Sequence, residues 1–234
     1  MPKIYVIPTP IGNLKDITLR AIETLNKVKL VYAEDTRKTK VILKKYNIKK
    51  KILSFHIYNE NKNAPKIIEN LKEDDEIALV SDAGTPLISD PGFSLINIAL
   101  KKKIEVECLP GPTSFVPAVV VSGLPTHRFI FEGFLPHKKG RKKRIIELKN
   151  ETRTTIFFES PHRLIKTLSE FNDELSPNRK ISISRELTKI HEETFRGSIS
   201  GAIKYFDKKK IRGEFIICIS GHNEKSNLEK KRSF

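Results

Sequence analysis

The first half of the chain alternates short apolar runs with amphipathic segments of helical length, and that alternation limits the fold more than any other feature. Residues 4–8, 30–34, 52–56, 76–82 and 104–110 read as strands. Pro8 and Pro10 close the first and stiffen the loop that follows. Ile17, Ala21, Ile22, Leu25 and Val28 recur on one helical face behind Asp16, the expected N-cap. Residues 36–46 and 93–102 give further helices, and Pro65 is expected to open one that carries Ile67, Ile68 and Leu71. Continuous apolar strands separated by helices predict a parallel sheet covered on both faces. Ligands of such sheets bind beyond the carboxyl ends of the strands.

The pattern changes after residue 114. Residues 114–123 read as a packed helix, and 129–135 and 155–160 as strands. A helix is expected over 161–175, with Ser160 as N-cap and Leu164, Ile165, Leu168, Phe171 and Leu175 on one face. Residues 180–187 alternate as a half-exposed strand, and 213–220 form a last apolar one. Longer strands with alternation predict a mixed, largely antiparallel sheet. The expected fold class is therefore α/β with two domains, 1–115 and 116–222, and a charged, flexible tail over 223–234.

Lys and Arg number 44 against 28 Asp and Glu, a formal charge of +16. That excess, partly clustered, suits a polyanionic partner, nucleic acid ahead of an acidic membrane. Cys108 and Cys218 lie far apart within apolar runs, without CxxC or zinc spacing. Both are expected to be reduced core residues of a cytoplasmic protein. The opening Met-Pro-Lys leads straight into an apolar run, unlike a secretory signal. The longest apolar stretch, 116–124, contains Pro117 and Gly123 and is too short to span a bilayer.

Four loops follow strands of the first domain, each rich in small, rigid or charged residues: Pro8-Thr9-Pro10-Ile11-Gly12-Asn13, Glu34-Asp35-Thr36-Arg37, Ser81-Asp82-Ala83-Gly84-Thr85-Pro86 with Ser89-Asp90-Pro91-Gly92, and Pro110-Gly111-Pro112-Thr113-Ser114. Any one could be a plain turn, whereas four at one sheet edge point to a ligand site. No GxGxxG, Walker loop, HExxH or GxSxG motif is present, and no His/Asp/Glu cluster has metal spacing, so no metal is expected.

These loops closely resemble, in register, the ribosomal RNA small-subunit methyltransferase I family of tetrapyrrole-methylase-like methyltransferases. The resemblance includes Ile4-Tyr5-Val6-Ile7-Pro8-Thr9-Pro10-Ile11-Gly12-Asn13-Leu14, Ala33-Glu34-Asp35-Thr36-Arg37, the run from Val80 to Gly92, and Leu109-Pro110-Gly111-Pro112. It continues through Glu132-Gly133-Phe134-Leu135-Pro136, Glu159-Ser160-Pro161-His162-Arg163 and Arg185-Glu186-Leu187-Thr188-Lys189. It implies two α/β domains with a methyl donor folded into the cleft between them, and a homodimer. The implied reaction is S-adenosylmethionine-dependent methylation of the ribose 2′-hydroxyl of a decoding-site cytidine in 16S rRNA, with the small ribosomal subunit as partner. By motif position Ile11, Asp82, Thr85, Thr113 and Ser114 resemble donor contacts, and Phe158, Leu187 and Gly213 would add others from the second domain. Family members commonly continue past Gly221-His222 into a helical extension, where this chain has residues 223–234.

A neutral 2′-hydroxyl is a poor nucleophile, so a nearby base would help it. Candidate bases are His56, which resembles a family histidine, together with Glu60, Asp35 and Asp90. Three have a structural alternative: His56 could be a strand-end histidine that only hydrogen-bonds, Asp35 with Glu34 could simply hold Arg37, and Asp90 could cap the helix near Phe93. Lys138-Lys139-Gly140-Arg141-Lys142-Lys143-Arg144 is the expected phosphate grip, with Arg37, His162 and Arg163 as further candidates and Phe134 or Tyr58 for base stacking. The rival readings are a same-fold methyltransferase acting on a tetrapyrrole or a protein side chain, and a basic RNA-binding assembly factor without catalysis.

Overall fold

A computed structural model of the chain describes residues 1–222. The tail expected at 223–234 lies outside the described residues. The chain forms two compact units, one from Met1 to Thr113 and the other from Ser114 onward.

The first unit runs β1 (Lys3–Val6), α1 (Leu19–Lys27), β2 (Leu30–Ala33), α2 (Thr36–Lys45), β3 (Ile52–Ser54), α3 (Glu60–Asn70), β4 (Glu76–Val80), α4 (Phe93–Lys101) and β5 (Glu105–Cys108). All five strands are parallel, in the order β3-β2-β4-β1-β5. Tyr5, Ile7, Val31 and Val80 pack on one face with Ala21 and Leu25 of α1 and Ile42 and Leu43 of α2. Ile4, Ile77 and Leu79 pack on the other with Ile67 and Ile68 of α3 and Leu95 and Ala99 of α4. Burial on both faces is why these strands read as unbroken apolar runs.

Two starts differ from expectation. Asp16 ends a short 3-10 turn, Leu14–Asp16, and Thr18 caps α1 by accepting the Ala21 amide at 3.1 Å. Pro65 sits inside α3 and does not open it. The helix begins earlier because the amides of Asn59 and Glu60 both donate to the His56 carbonyl at 2.9 Å, starting the first turn ahead of Pro65.

The second unit runs α5 (Phe115–Val121), β6 (Phe129–Phe134), α6 (Arg141–Glu147), β7 (Thr154–Glu159), α7 (Leu164–Glu174), β8 (Lys180–Arg185), β9 (Glu193–Ser198), α8 (Ile199–Asp207) and β10 (Phe215–Ile219). Its sheet has the order β6-β7-β10-β8-β9, with only β6–β7 parallel among these pairs. Phe157, Ile183, Phe215 and Ile217 face a core closed by Leu164, Leu168 and Phe171 of α7 and by Ile199 and Phe206 of α8. Ser160 is not the N-cap of α7: its carbonyl accepts the amides of Arg163 and Leu164 at 3.1 Å, and the helix starts after that turn. Strand β6 carries a bulge between Phe131 and Gly133, where Gly133 takes φ +64°. The extra residue, Glu132, lets Phe131 and Phe134 pair with Ile156 and Phe158, two residues of one face of β7.

Candidate functional site

Every strand of the first sheet is parallel, so the loops after β1, β2, β3, β4 and β5 share its carboxyl edge. The loops after β1 and β4 are stitched together by paired bonds between Thr9 and Gly84, amide to carbonyl at 2.9 and 2.8 Å in each direction. The Thr9 hydroxyl donates to the Ser81 carbonyl at 3.1 Å, and the Ser81 hydroxyl donates to that of Gly84 at 3.2 Å. The loop after β5 joins through Thr85, whose hydroxyl donates to the Pro112 carbonyl at 3.1 Å. Gly84 adopts φ +82°, and a Cβ there would lie 3.4 Å from Ile11 Cγ2 and 3.8 Å from the Pro112 oxygen. Gly111 is required by close approach, since a Cβ would come within 2.7 Å of Pro8.

Ile11, Asp82, Thr85 and Thr113 are thus brought to one rim, where each plays a distinct part. Ile11 packs beside Gly84, and Thr85 spends its hydroxyl on Pro112. Asp82 is anchored: Oδ1 accepts the Asp35 amide at 2.9 Å and Oδ2 accepts Lys38 Nζ at 2.8 Å. The Thr113 hydroxyl is buried without a protein partner, an arrangement that costs free energy unless something else satisfies it. Ser114 precedes α5 and makes no side-chain capping bond.

Among the candidate bases, the structure separates four environments. Asp35 caps α2 and clamps Arg37 with both oxygens, at 3.0 and 2.7 Å, and this guanidinium holds its carboxyl far below the usual range. Asp35 is therefore a helix cap and ion-pair partner, unsuited to accepting a proton, while Arg37 is paired with it and remains 88% exposed. Glu60 accepts the Gly92 amide at 2.8 Å and so braces the 84–92 loop. His56 lies in a turn, its amide bonded to Asn59 Oδ1 at 2.9 Å and its Nε2 3.3 Å from Asn59 Nδ2, with Nδ1 buried and unpartnered. Asp90 does not cap α4; Gly92 occupies that position at φ +137° without a side-chain bond. Burial, reinforced by the negative charges of Glu34 and Asp82, pushes the Asp90 carboxyl up to about 7. Glu34 is raised by the same causes, burial first and then Asp82. The 84–92 loop also holds Leu87 and Ser89 in the left-handed region, at φ +71° and +65°.

In the second unit, Phe158, Leu187 and Gly213 lie at one end of the sheet, in the last residues of β7, after β8 and before β10. Gly213 takes φ +93°, and a Cβ there would lie 2.5 Å from the Glu186 side chain. Glu186 accepts the Glu214 amide and Lys189 Nζ, both at 2.9 Å. Thr188, left-handed at φ +67°, buries a hydroxyl without a partner, a feature the sequence did not single out.

The cationic run divides. Arg141 is only 5% exposed: it bonds Glu170 at 2.7 Å, Thr167 at 2.7 Å and the Pro136 carbonyl at 3.3 Å. It is a buried anchor and not a phosphate contact. Arg144 is committed to Glu132 and Glu147. Arg163 pairs with buried Glu159 at 2.9 Å and donates to the Leu135 carbonyl at 3.2 Å, so it too is structural. Lys142 reaches Glu174 at 3.5 Å. Lys138, Lys139 and Lys143 are exposed and make no ion pair among the described residues. His162 is also exposed.

No helix among the described residues is long and apolar enough to cross a membrane, and no group of His, Cys, Asp and Glu there could hold a metal ion. The model of the tetrapyrrole (corrin/porphyrin) methylases matches residues 3–202. Relatives named ribosomal RNA small subunit methyltransferase I include one from Thermotoga maritima, 50% identical over 94% of this chain and 99% of its own. Another, from Escherichia coli O157:H7, is 42% identical over 94% of this chain and 78% of its own. Among solved structures, a diphthine synthase superposes with a TM-score of 0.74 at 14% identity, covering 100% of this chain and 96% of its own. A cobalt precorrin-4 methyltransferase gives 0.67 at 16%, covering 93% and 94%. At such identities these two show the shared fold alone. The sequence matches and the fold together make this chain a member of the ribosomal RNA small subunit methyltransferase I family, within the tetrapyrrole methylases.

Proposed function

We propose that the chain methylates the ribose 2′-hydroxyl of a decoding-site cytidine in 16S rRNA, within the small ribosomal subunit. Its family makes it an S-adenosylmethionine-dependent rRNA methyltransferase. The observation that carries the reading is the rim of the first sheet, where three loops are bonded into one frame around Gly84 and the unpartnered Thr113 hydroxyl.

The residues present fit an adenosyl donor. Gly84, at φ +82°, locks the rim by its paired bonds to Thr9 and packs beside Ile11, and Thr113 offers a hydroxyl in need of a partner. Ile11, Asp82, Thr85, Thr113 and Ser114 would hold the donor. When bound, it supplies a methyl group already activated on a sulfonium, so the protein's share is positioning. The bonds of Thr9, Ser81 and Thr85 fix the rim before any ligand arrives and limit its reorganisation.

Asp90 takes the acceptor's proton. Its carboxyl is held near 7, so a substantial fraction is ionised at neutral pH while remaining basic enough to help a hydroxyl. Lys138, Lys139 and Lys143 grip phosphates. The same reading places the protein in the cytoplasm as a homodimer. An exposed apolar stripe on α4, Phe93 at 70% and Leu100 at 59% exposure, supports the second point.

The direct test compares ribose methylation across 16S rRNA from cells with and without this chain, read as resistance to alkaline cleavage. Loss of one protected cytidine in the decoding region is expected. An unchanged map, or transfer only to a small tetrapyrrole acceptor, overturns the reading.

A further inference from the structure

We propose that the second unit carries a recognition pocket for one unstacked base of the RNA, with Phe134 as its stacking surface. The proposal rests on the RNA-modifying reading above and adds a contact that reading does not require. A cavity of about 370 Å³ lies beside the basic turn, lined by Glu132, Phe134, Pro136, Gly140, Lys143 and Arg144, together with Glu147. That size falls within the roughly 300–1,000 Å³ range of small-ligand sites.

Three observations argue for a base. First, Phe134 is 51% exposed although it is aromatic and held in place. Its ring packs on Phe158 at 5.5 Å, and the Arg163 guanidinium lies 5.9 Å from its centroid. The β6 bulge puts Phe134 there, because without the extra residue the alternation of the strand would send it to the opposite face. A rigid, half-exposed ring meets a flat aromatic ligand at little entropic cost.

Second, the wall carboxylates are half neutralised by Arg144, and the one negative charge left over is outweighed by three lysines. Arg144 bonds both oxygens of Glu132, and its Nη1 bonds Glu147 at 2.5 Å, so these two acids share one cation. The net positive field comes from Lys138, Lys139 and Lys143, which have no acidic partner among the described residues. Third, the lining is uncrowded at Gly140. Gly140 adopts φ +84° with nothing within 4 Å of where a Cβ would stand. The turn that carries the lysines is itself pinned by buried Arg141, which bonds Glu170 and Thr167 at 2.7 Å. A base on Phe134 with its phosphates on the lysines uses every one of these features. A flat protein surface would leave the cavity unfilled.

The test measures binding of the full chain to a fluorescein-labelled single-stranded oligoadenosine and to an abasic strand of the same length, across a salt series. Phe134→Leu should weaken oligoadenosine binding roughly five- to 150-fold, the range for loss of one base stack. Its salt slope should stay unchanged, because stacking releases no counterions. The abasic strand should bind the wild type and F134L equally, and Phe134→Trp should restore binding to oligoadenosine. If F134L binds oligoadenosine like the wild type, or loses equally on the abasic strand, the pocket is overturned. A Lys138→Gln, Lys139→Gln, Lys143→Gln variant separates the two readings. If it weakens binding while F134L does not, only the pocket fails; if neither changes binding, the RNA grip assigned to this turn fails with it.

Discussion

Replacing Asp90 by Asn tests the catalytic assignment through two independent pH dependences. The folded carboxyl lies near 7, against an ordinary 3.8, because the site is buried and Glu34 and Asp82 add negative potential. A folded value above the unfolded one means that Asp90 contributes stability fully below about pH 4 and loses it as pH rises through about 7. Between pH 5 and 7 that loss is at most about 2.7 kcal/mol, at roughly 1.4 kcal/mol per pH unit, and screening at a partly exposed site reduces it to about 1–2 kcal/mol. Asp90→Asn abolishes this loss, so urea unfolding should show the variant gaining about 1–2 kcal/mol on the wild type between pH 5 and pH 8. Transfer should behave in the opposite sense. As a base, Asp90 must be ionised, so wild-type kcat/KM should rise about tenfold from pH 6 to pH 8, following the ionised fraction of a group near 7. In D90N the rate should fall by about 10²–10⁴ and the acid limb should vanish. A variant that keeps the wild-type limb, or stays within tenfold of its rate, refutes Asp90 as the base. A stability difference that is flat with pH refutes the raised carboxyl itself.

Other perturbations address the remaining parts of the account. Asp82→Ala removes the acceptor of both the Asp35 amide and Lys38, and should raise the Kd for S-adenosylhomocysteine more than tenfold in calorimetry while the chain stays folded. Arg141→Ala should cost about 3–5 kcal/mol in chemical unfolding, because Glu170 and Thr167 lose a buried partner, whereas Lys139→Ala should stay within about 0.5 kcal/mol. Neutralising Lys138, Lys139 and Lys143 should reduce the log–log salt slope of single-strand RNA binding by about 2 and leave donor affinity unchanged. Gly111→Ala should lower the melting temperature and weaken donor binding together, since its Cβ would come within 2.7 Å of the Pro8 ring.

Periodicity carried the first sheet because its strands are buried on both faces and its helices on one. It failed where local signals were weak. Strand β9, Glu-Thr-Phe-Arg-Gly-Ser, has Phe195 as its only large apolar residue, as an edge strand can. Helix α8 opens on Ser200-Gly201, which hides the spacing of Ile199, Ala202, Ile203 and Phe206. Loop composition located the rim, since the prolines and glycines serve close backbone approach. Side-chain roles were less legible because partners distant in sequence decide them. Arg141 reads as one of a run of cations, yet Glu170 and Thr167, 29 and 26 residues away, bury it. The Asp90 environment likewise depends on Glu34 and Asp82, which the fold brings near.

We place the donor site at the carboxyl edge of the first sheet. A crystal of the full chain grown with S-adenosylhomocysteine should show its adenosyl group against Gly84, with a polar atom bonded to the Thr113 hydroxyl. Density for the ligand elsewhere, with Thr113 still unpartnered, would contradict it.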